Sequence, residues 1–514
     1  MQILFFSIYL IAYLLINKMI LRNKTLFLIF IITNLFNFII HSNSYGESNW
    51  PQFRGPNFNG VALSQSIPKD FSPENKLIWK SSTPIGHSSP IIWGNKIFIT
   101  GHDNKNFKSI CLNRENGSVL WEKHRPISKI RVYDHVAGDP SNSTPATNGD
   151  IVIFYFDDYG LIATDLNGNL KWEYTVVPIS NSFSYGASPI IFDNKVFINR
   201  DGGLDSSLLC LDLKTGKKIW SAKRPNFIPS FCSPYPIKQD DNNLILSGGS
   251  GKLIAYSANN GEEIWSTIGL PSFVCPTPVE SNGIVVFGGW TTAHVSGQNR
   301  VESVFNDNSN VSEESKKDPG AFFNQFDSDN NKKLSLLEFP ESRAKDAFNY
   351  IDTNRDGFVV MDEWAPLYTN QPNAPGRNVI LGISAKGKGD ITQTNVLWEL
   401  KKGLPYVASP LIYRNRVYLA AKGGFISCVD VQTGKPLYQK ERLGVGGEYY
   451  ASPIAVNGNI IVCAQRGNVF LVKASKKLDI VHSTHLKEKI FATPAVVDSK
   501  IYIRSEGHLW SFGN

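Results

Sequence analysis

The sequence is poor in the residues that mark several common protein classes. Six Cys among 514 residues are too few for a scaffold built on disulfides. No two Cys are adjacent, and none precedes Cys111, so a lipid-modified N-terminal Cys is excluded. Neither a Gly-x-Ser-x-Gly elbow nor a His-Glu-x-x-His helix occurs, and the sequence therefore gives no support for a hydrolase.

Charge of one sign is also scarce. Lys and Arg number 52 against 45 Asp and Glu, a net charge of +7 that is too small for a dedicated nucleic-acid binder. Three of the positive residues, Lys18, Arg22 and Lys24, lie in an N-terminal stretch without any acidic residue. The 42% of hydrophobic residues can bury a large core. We therefore expect a folded protein with no nucleic-acid partner.

Two apolar runs, residues 3–16 and 26–40, flank these three positive residues. Both are shorter than the roughly 20 residues that a membrane-spanning helix needs. A basic region, the second run and then Ser44-Tyr45-Gly46 are typical of a signal peptide cleaved before Glu47, and Met19 is an alternative start. We predict export to the periplasm or the cell exterior through residues 1–46. The alternative is an uncleaved N-terminus that anchors the protein in the membrane.

A Ser/Thr-Pro pair recurs eight times ahead of a strand-like run. Successive Pro residues are separated by 55, 44, 45, 44, 132, 43 and 41 residues, so a unit of about 44 repeats around one gap with about 88 extra residues. The pairs are Ser89-Pro90, Thr144-Pro145, Ser188-Pro189, Ser233-Pro234, Thr277-Pro278, Ser409-Pro410, Ser452-Pro453 and Thr493-Pro494.

Each unit contains three runs of β-branched and aromatic residues, followed by a short segment that ends in most units in an aromatic residue. Four short strands in 40–50 residues are the signature of a propeller blade. The last unit stops after its third strand, and an orphan strand at 76–80 precedes the first. We therefore predict an all-β, eight-bladed β-propeller closed by an N-terminal strand. The predicted segments are a lead-in at 47–75, propeller at 76–289 and 378–514, and an insert at 290–377 in the fifth repeat.

The Cys residues have a simple interpretation in this repeat. Cys111, Cys210 and Cys428 occupy one position on the third strand, where a small buried residue fits. Cys232 and Cys275 lie near the starts of two adjacent inner strands, and their repeat offsets differ by one. Two free thiols are favoured there because disulfide geometry is strict, with a bridge as the alternative.

The repeat motif resembles that of pyrroloquinoline-quinone-type propellers. Cys210-x-Asp212-x-x-Thr215-Gly216-x-x-x-Trp220 carries the resemblance, which implies that the Thr-Gly turn and the Trp dock one blade on the next. The opening Trp50-Pro-Gln-Phe-Arg-Gly-Pro56 and the stretch Gly387-x-Gly-Asp-Ile-Thr392 are similar to the exported quinoprotein-like propellers of planctomycete and verrucomicrobial bacteria. The wider family contains both dehydrogenases and a non-enzymatic outer-membrane-assembly scaffold, so the resemblance leaves catalysis uncertain.

Those dehydrogenases hold the quinone at the ring axis with Ca²⁺, a catalytic Asp, a stacking Trp and a vicinal Cys–Cys disulfide. This sequence has no Cys-Cys pair, and its candidate acids, Asp134 and Asp139, carry no distinguishing motif. Blades of about 44 residues also leave little length for loops that would wall a cofactor chamber. A non-catalytic binding or scaffold protein is therefore expected, with a quinone-dependent dehydrogenase as the alternative.

The insert contains two twelve-residue loops that look like EF-hand loops, within a pair spanning about 315–368. Oxygen donors stand at positions 1, 3 and 5, a backbone carbonyl at 7 and a Glu at 12, as Ca²⁺ prefers. We expect Gly357 to suit position 6 of the second loop and Lys332 to weaken the first. Helices are predicted around 344–350 and after Glu363, and Leu334 should pair with Val359. The predicted ligands are Asp327, Asp329, Asn331, Lys333, Ser335 and Glu338 in the first loop, and Asp352, Asn354, Asp356, Phe358 and Glu363 in the second.

Ring-bearing residues precede the Ser/Thr-Pro pairs and should surround the axial mouth of the ring. In an up-and-down blade, the loop between the second and third strands emerges on that same face, which should therefore carry the insert. The mouth is either a seat for a protein, peptide, glycan or small molecule, or packing that plugs the channel. Its predicted residues are His87, Tyr133, Tyr185, Phe231, Phe273, Tyr406, Tyr449, Tyr450 and Phe491.

Overall fold

The computed structural model describes residues 49–62, 66–128, 135–177, 184–202, 206–224, 227–291, 310–342, 345, 348–352, 356–365, 368 and 376–514. The predicted export segment, residues 1–46, lies outside them. Residues Trp50–Asn514 form one compact unit. Most of it is a ring of eight small antiparallel sheets, which confirms the predicted eight-bladed propeller.

The first four blades follow directly along the chain after β1 (Val61–Ala62) and β2 (Leu77–Ser82). Their strands are β3 (Ile91–Trp93), β4 (Lys96–His102), β5 (Asn106–Asn113) and β6 (Val119–Pro126) in blade 1; β7 (Ala146–Thr147), β8 (Ile151–Phe156), β9 (Gly160–Asp165) and β10 (Leu170–Thr175) in blade 2; β11 (Ile190–Phe192), β12 (Lys195–Arg200), β13 (Ser207–Asp212) and β14 (Lys218–Lys223) in blade 3; and β15 (Tyr235–Gln239), β16 (Asn242–Gly249), β17 (Lys252–Ser257) and β18 (Glu263–Ile268) in blade 4.

Blade 5 is interrupted between its second and third strands. It contains β19 (Val279–Ser281), β20 (Ile284–Gly289), β23 (Val379–Ser384) and β25 (Val396–Leu400), with β24 (Gly389–Asp390) and helix α4 (Thr392–Asn395) before the last strand. The described elements of the insert are α1 (Pro319–Phe326), β21 (Lys333–Ser335), α2 (Phe348–Ile351), β22 (Phe358–Val360) and α3 (Met361–Trp364).

The last three blades complete the ring. They contain β26 (Leu411–Tyr413), β27 (Arg416–Ala421), β28 (Phe425–Asp430) and β29 (Pro436–Arg442) in blade 6; β30 (Ile454–Val456), β31 (Asn459–Cys463), β32 (Asn468–Lys473) and β33 (Ile480–His485) in blade 7; and β34 (Ala495–Val497), β35 (Lys500–Arg504) and β36 (His508–Phe512) in blade 8. The N-terminal β2 pairs antiparallel with β36, from Leu77 opposite Phe512 to Ser82 opposite His508. Blade 8 therefore receives its fourth strand from the N-terminal side, as predicted.

Burial explains why the strands of a blade differ in composition. All six residues of β8 are buried, because both faces of an inner region pack against neighbouring blades. The outer strand β14 alternates instead, with Trp220 buried between exposed residues. Cys111, Cys210, Cys428 and Cys463 are buried in the positions that the repeat assigns to small apolar side chains, and Cys232 and Cys275 are free thiols.

Tryptophans of five outer strands each dock a blade on the next. The Trp398 indole donates to the carbonyl of Val431 in blade 6 at 2.9 Å, and its ring lies over Gly434. Gly434 has φ +66°, and a Cβ there would meet the indole at 2.6 Å, so both the turn and the stacking require glycine. The same bond joins Trp79 to Arg114, Trp121 to Leu166, Trp172 to Leu213 and Trp220 to Ala258.

Blade 4 carries an extra edge strand. The short β24 pairs parallel with β18, placing Gly389 opposite Trp265. The Thr392 hydroxyl accepts a hydrogen bond from the backbone of Ile268 at 3.1 Å. The Gly-x-Gly-Asp-Ile-Thr stretch therefore covers the outer edge of blade 4, where unpaired backbone would otherwise be exposed.

Candidate functional site

A cavity of about 150 Å³ opens at the ring axis, on the face where the chain enters each inner strand. We call it the axial cup. It has a wall of hydroxyl groups, a rim of aromatic and imidazole rings, and a floor formed by the lead-in. Its lining residues are Phe53, His87, Ser89, His135, Ala137, Asn142, Thr144, Gly186, Ser188, Phe231, Ser233, Cys275, Thr277, Tyr406, Val407, Ser409, Tyr450, Ser452, Phe491 and Thr493.

The eight Ser and Thr residues of the repeated pairs form the wall, which we call the belt. Each hydroxyl oxygen can accept the backbone N–H of the same residue in the preceding blade, which links neighbouring blades around the axis. This explains why the repeat keeps a hydroxyl before proline. The bonds found run from Ser89 to Thr144, Thr144 to Ser188, Ser188 to Ser233, Thr277 to Ser409, Ser409 to Ser452, Ser452 to Thr493 and Thr493 to Ser89, all at 2.9–3.0 Å.

The lead-in crosses the channel just below the belt and forms the floor of the cup. Trp50 bridges to Ile92 of blade 1, and the Pro51 carbonyl accepts from the Thr147 backbone of blade 2. These contacts continue around the ring: Gln52 accepts from Ile191 of blade 3, Arg54 donates to Pro410 beside blade 6, and Val61 pairs with Ala455 of blade 7. Phe53 lies between them and faces the cup. The Trp-Pro-Gln-Phe-Arg-Gly-Pro motif is thus a plug, a role that sequence reasoning did not assign to it.

Three rings of the rim form a near-parallel stack. His87 and Phe491 have centroids 3.9 Å apart at 17°, and Tyr450 follows Phe491 at 5.7 Å and 11°. His135 makes edge contacts with both Tyr406 and Tyr450 at 5.8 Å. The rim therefore presents flat ring faces together with ring edges around one small opening.

The hydrogen bonds of His87 fix its tautomer. The Asn142 amide nitrogen donates to the Ala137 carbonyl at 3.1 Å, which turns the Asn142 oxygen toward His87 Nδ1, also at 3.1 Å. Burial lowers the pKa of His87, so the ring is neutral at neutral pH. Because an amide oxygen only accepts, Nδ1 carries the hydrogen and Nε2 remains an acceptor. Among the described residues, no hydrogen bond to Nε2 is found.

The charged groups near the cup lie behind its wall. Asp139 is buried and contacts His102 Nε2 at 3.1 Å; burial alone would raise the pKa of Asp139, but this bond and the nearby His87 lower it overall. The fully buried Arg504 donates to the carbonyls of Ser88 and Thr100, and burial lowers its pKa to about 10. None of the described lining residues is Asp, Glu, Lys or Arg. Among the described residues, the surface of the cup is therefore uncharged and mostly apolar, with hydroxyl and imidazole groups between the rings.

The structure places five of the nine predicted mouth residues in the cup. The Tyr185 hydroxyl instead donates to the Asn199 carbonyl inside the ring, and the Tyr449 hydroxyl donates to Val445. Phe273 does not line the cup, and Tyr133 lies outside the described residues. Phe53, His135 and Cys275 line it but were not predicted. Phe53 belongs to the lead-in, His135 lies farther from its Ser/Thr-Pro pair than most of the predicted rings do, and Cys275 carries no ring. The residues in the cup are His87, Phe231, Tyr406, Tyr450 and Phe491.

The first loop of the insert gathers its acidic side chains. Asp327, Asp329 and Glu338 each place a carboxylate oxygen within 4.8 Å of the others, close enough to share one cation. Lys332, at position 6 of this loop, has φ +62°, the conformation that glycine takes most easily. Asn331 Oδ1 accepts from the Lys333 backbone at 2.7 Å, and the Ser335 hydroxyl donates to Glu338 at 2.9 Å. Leu334 pairs with Val359, as predicted.

The second loop has a buried carboxylate at its first position. Asp352 is 4% exposed; one of its oxygens accepts from the Gly357 backbone, and no hydrogen bond to the other is found among the described residues. Glu363 is also buried and accepts from the Val360 backbone at 3.1 Å. Of the other predicted ligands, Asp356 and Phe358 are described, and Asn354 lies outside the described residues.

The helices of the insert differ slightly from the expectation. Helix α3 begins at Met361 and contains Glu363, because the carboxylate at the third helical position caps the backbone at Val360. Within the described part of the region around 344–350, α2 covers Phe348–Ile351. A separate small core packs Trp364 on Phe322, with ring centroids 4.2 Å apart. The insert therefore has its own apolar centre.

Both ends of the insert lie beside the cup face. The Trp290 backbone donates to the Pro405 carbonyl at 2.8 Å, and its ring contacts Tyr406 of the rim edge-on at 5.8 Å. At the other end, Arg377 donates to Leu270, just before the entry into blade 5. The loop between the second and third strands thus leaves and rejoins the ring on the face predicted for it.

A family model described as outer membrane protein assembly factor BamB matches residues 64–227 and 205–301. The ring is a PQQ-like β-propeller. Among described residues, no helix is both long and apolar enough to cross a membrane.

Two curated relatives of this PQQ-like propeller are dehydrogenases by name. The lanthanide-dependent methanol dehydrogenase of Methylacidiphilum fumariolicum is 27% identical over 119 residues, 21% of this chain and 19% of that protein. The 1-butanol dehydrogenase (quinone) of Thauera butanivorans is 30% identical over 118 residues, 20% of this chain and 18% of that protein. The chain thus spans about a fifth of the length of these relatives.

A solved structure has a similar fold. A europium-containing methanol dehydrogenase superposes with a TM-score of 0.51 at 11% identity, covering 91% of this chain and 98% of that chain. At this identity the likeness concerns the fold alone.

Proposed function

We propose that the protein is an exported, non-catalytic binding protein, in which the axial cup of a PQQ-like propeller receives a partner or ligand and the insert holds Ca²⁺. The observation that carries the binding role is the cup itself, an open cavity with the lead-in at its floor, a hydroxyl wall, and aromatic and imidazole rings at its rim. A cavity that combines flat apolar surfaces with a few converging polar groups is the usual form of a binding site.

The lining of the cup does not fit pyrroloquinoline quinone. That cofactor carries three carboxylates, and a site for it needs cations or a bound metal to balance them. The described lining contains no Lys or Arg to meet the carboxylates and no Asp or Glu to hold a metal. Cys275 stands alone in the cup, without the adjacent Cys of a vicinal disulfide. We therefore derive no catalytic step through a quinone.

The matches to two dehydrogenases keep the quinone enzyme as a second candidate, and a direct assay separates the two. The purified chain is incubated with pyrroloquinoline quinone and either Ca²⁺ or La³⁺, and then with alcohols or sugars and an artificial electron acceptor. We expect no turnover above that of the free cofactor. Turnover that depends on the protein would overturn the non-catalytic role.

The binding role is tested with variants of the rim. Residues 47–514 are immobilised and exposed to an envelope extract, and the species retained by wild type are compared with those retained by Tyr450→Ala. Leu120→Ala, which removes an exposed apolar side chain from an outer strand, serves as the matched control. We expect at least one species that wild type and Leu120→Ala retain and Tyr450→Ala loses. Equal retention by all three chains would reject the cup as the binding site.

Calcium in the insert is supported by the donor set. The three carboxylates of the first loop would repel one another without a cation, and the buried oxygen of Asp352 needs a partner. Because Ca²⁺ outside cells is abundant, such sites would stay filled and would brace the insert rather than sense the ion. Calorimetric titration of Ca²⁺ into wild type and Glu363→Gln tests this. An unchanged isotherm in the variant would reject the second loop as a site.

A further inference from the structure

We propose that the axial cup binds the ring of a neutral sugar, an inference that rests on the binding role proposed above and specifies its ligand. Three properties of the cup point to this class. Its wall offers hydrogen-bond donors in many directions, its rim offers one defined acceptor beside flat rings, and the described residues of its lining carry no charge. A sugar ring is uncharged, has an apolar face, and carries hydroxyls that donate and accept.

The belt supplies the donors. Each of the seven hydroxyls shown to bond the neighbouring blade does so as an acceptor, from a backbone N–H at 2.9–3.0 Å. A hydroxyl that accepts still has its own hydrogen to donate, and these residues line the cup. The hydrogen can rotate to suit the ligand. The base of the cup can therefore meet several hydroxyl oxygens without a fixed pattern of charges.

His87 supplies the acceptor. Its Nδ1 is occupied by Asn142, which leaves the Nε2 lone pair for a donor that enters the cup. The stack of His87, Phe491 and Tyr450 holds this ring in place. A sugar hydroxyl can donate to Nε2 while a neighbouring hydroxyl accepts from the belt. A carboxylate or a carbonyl could not use Nε2, because both groups only accept.

The ring faces supply the apolar contact. Aromatic faces carry partial negative charge, which attracts the slightly positive C–H groups of a sugar ring. Tyr406 and Tyr450 stand at the opening, and Phe53 closes the base. The cavity of about 150 Å³ holds several water molecules, or one sugar ring that displaces them.

The lack of charge in the described lining argues against charged ligands such as acidic or basic peptide side chains. An acidic or basic peptide side chain would lose its hydration in the cup and find no opposite charge among the described lining residues. Burial keeps His87 and His135 neutral by lowering the pKa of each, so neither offers a cation near neutral pH. A neutral sugar avoids this cost.

The test uses saturation-transfer NMR with glucose, galactose and N-acetylglucosamine as neutral probes, and with glucuronate and benzoate as anionic ones. We expect signals from at least one neutral sugar and weaker or no signals from the two anions. Tyr406→Ala, which removes one of the ring faces at the opening, should weaken that sugar at least about tenfold. His87→Phe keeps a ring in the stack but removes the Nε2 acceptor, and should weaken it about five- to tenfold. Leu120→Ala should bind as wild type does.

The inference is overturned if no neutral sugar binds, if an anion binds more tightly, or if His87→Phe binds the sugar as well as wild type. Thermal unfolding of each variant shows whether it is folded, and His87→Ala provides a second variant if His87→Phe is not. If no sugar binds while Tyr450→Ala still loses a retained envelope protein, the sugar proposal fails and the binding role stands. If Tyr450→Ala also retains everything, both fail.

Discussion

The ring and the insert are both ordered by contacts between repeated units, yet the units meet in different ways. In the ring, neighbouring blades are joined largely through neutral groups, such as a Trp indole on a backbone carbonyl and a hydroxyl on a backbone amide. In the insert, two loops meet through three paired residues, and the first loop gathers three carboxylates. Neutral contacts are satisfied within the chain, whereas gathered carboxylates need a cation. The ring should therefore be stable by itself, and the insert should depend on Ca²⁺.

The largest expected effect tests the blade contacts of the ring. Gly434→Ala should lower the free energy of unfolding by about 3 kcal/mol, because the new Cβ strains a left-handed turn and displaces Trp398. Gly94→Ala is the matched control: φ is also positive, but nothing lies within 4 Å of the new Cβ. It should cost about 1 kcal/mol. Urea unfolding measures both, and equal losses would show that the Trp contact contributes little.

Calcium should separate the two regions. With free Ca²⁺ at about 100 times Kd, the insert should gain about 2.7 kcal/mol, while the ring gains nothing. Fluorescence of Trp364, buried in the core of the insert, and thermal unfolding with and without a chelator would follow this. Glu363→Gln, which affects the second loop alone, should reduce the gain, and Glu341→Gln, at an exposed pair with Lys345, should retain it in full. A gain shared by the whole molecule would contradict independent stabilities.

Loss of one belt hydroxyl should be smaller. Ser452→Ala removes the acceptor of the Ser409 backbone and leaves that buried N–H without its partner, at a cost of about 1–2 kcal/mol. Because Ser452 accepts from Ser409 and Ser409 accepts from Thr277, neighbouring bonds should relax together, and Ser452→Ala combined with Ser409→Ala should cost less than the sum of the two single losses. Chemical unfolding of the single and double variants measures this. Ser475→Ala, in a turn outside the belt, should change stability by less than about 0.5 kcal/mol.

The smallest expected effect depends on pH and concerns ring closure. Glu488 contacts Lys80 of the closing strand; burial alone would raise its pKa, but hydrogen bonds from Ser505 and His508 and this ion pair lower it from 4.5 to about 2. The carboxylate therefore stabilises the ring above pH 4.5, and this contribution disappears as the pH falls toward 2. After screening by solvent it is worth about 1 kcal/mol.

Glu488→Gln should accordingly flatten the acid side of the stability curve and change little at acid pH. Glu506→Gln, which breaks an exposed pair with Lys489, is the control and should leave the curve as it is. Unfolding midpoints between pH 2 and 7 would measure the difference. A curve of Glu488→Gln parallel to that of wild type would mean that another group carries the acid sensitivity.

Repetition made the ring predictable from the sequence. The eight Ser/Thr-Pro pairs predicted the number of blades, and the orphan strand at 76–80 indicated how the ring closes. Both inferences were possible because the strands of a blade follow one another along the chain in a repeated pattern. The contact of Leu334 with Val359 followed in the same way from the spacing of the two loops. Each of these inferences uses residues that are close in sequence or equivalent in the repeat.

The floor and part of the rim could not be predicted, because they depend on contacts distant in sequence. Arg54 donates a hydrogen bond to the Pro410 carbonyl, 356 residues away in sequence, and no local sequence pattern predicts such a bond. Tyr185 and Phe231 occupy similar repeat positions, yet only Phe231 faces the cup, because the Tyr185 hydroxyl finds a buried carbonyl at Asn199. Side-chain direction at the rim is decided by such individual partners.

The lead-in beneath the belt makes the channel a dead end. Phe53 stands where a solute would otherwise pass through to the far side, and its neighbours are fastened to blades 1, 2, 3, 6 and 7. A ligand that enters the cup therefore has to leave by the same opening, so association and dissociation follow one path. A large partner bound at the rim would therefore keep a small ligand in the cup from leaving, and it would equally keep a second ligand from entering.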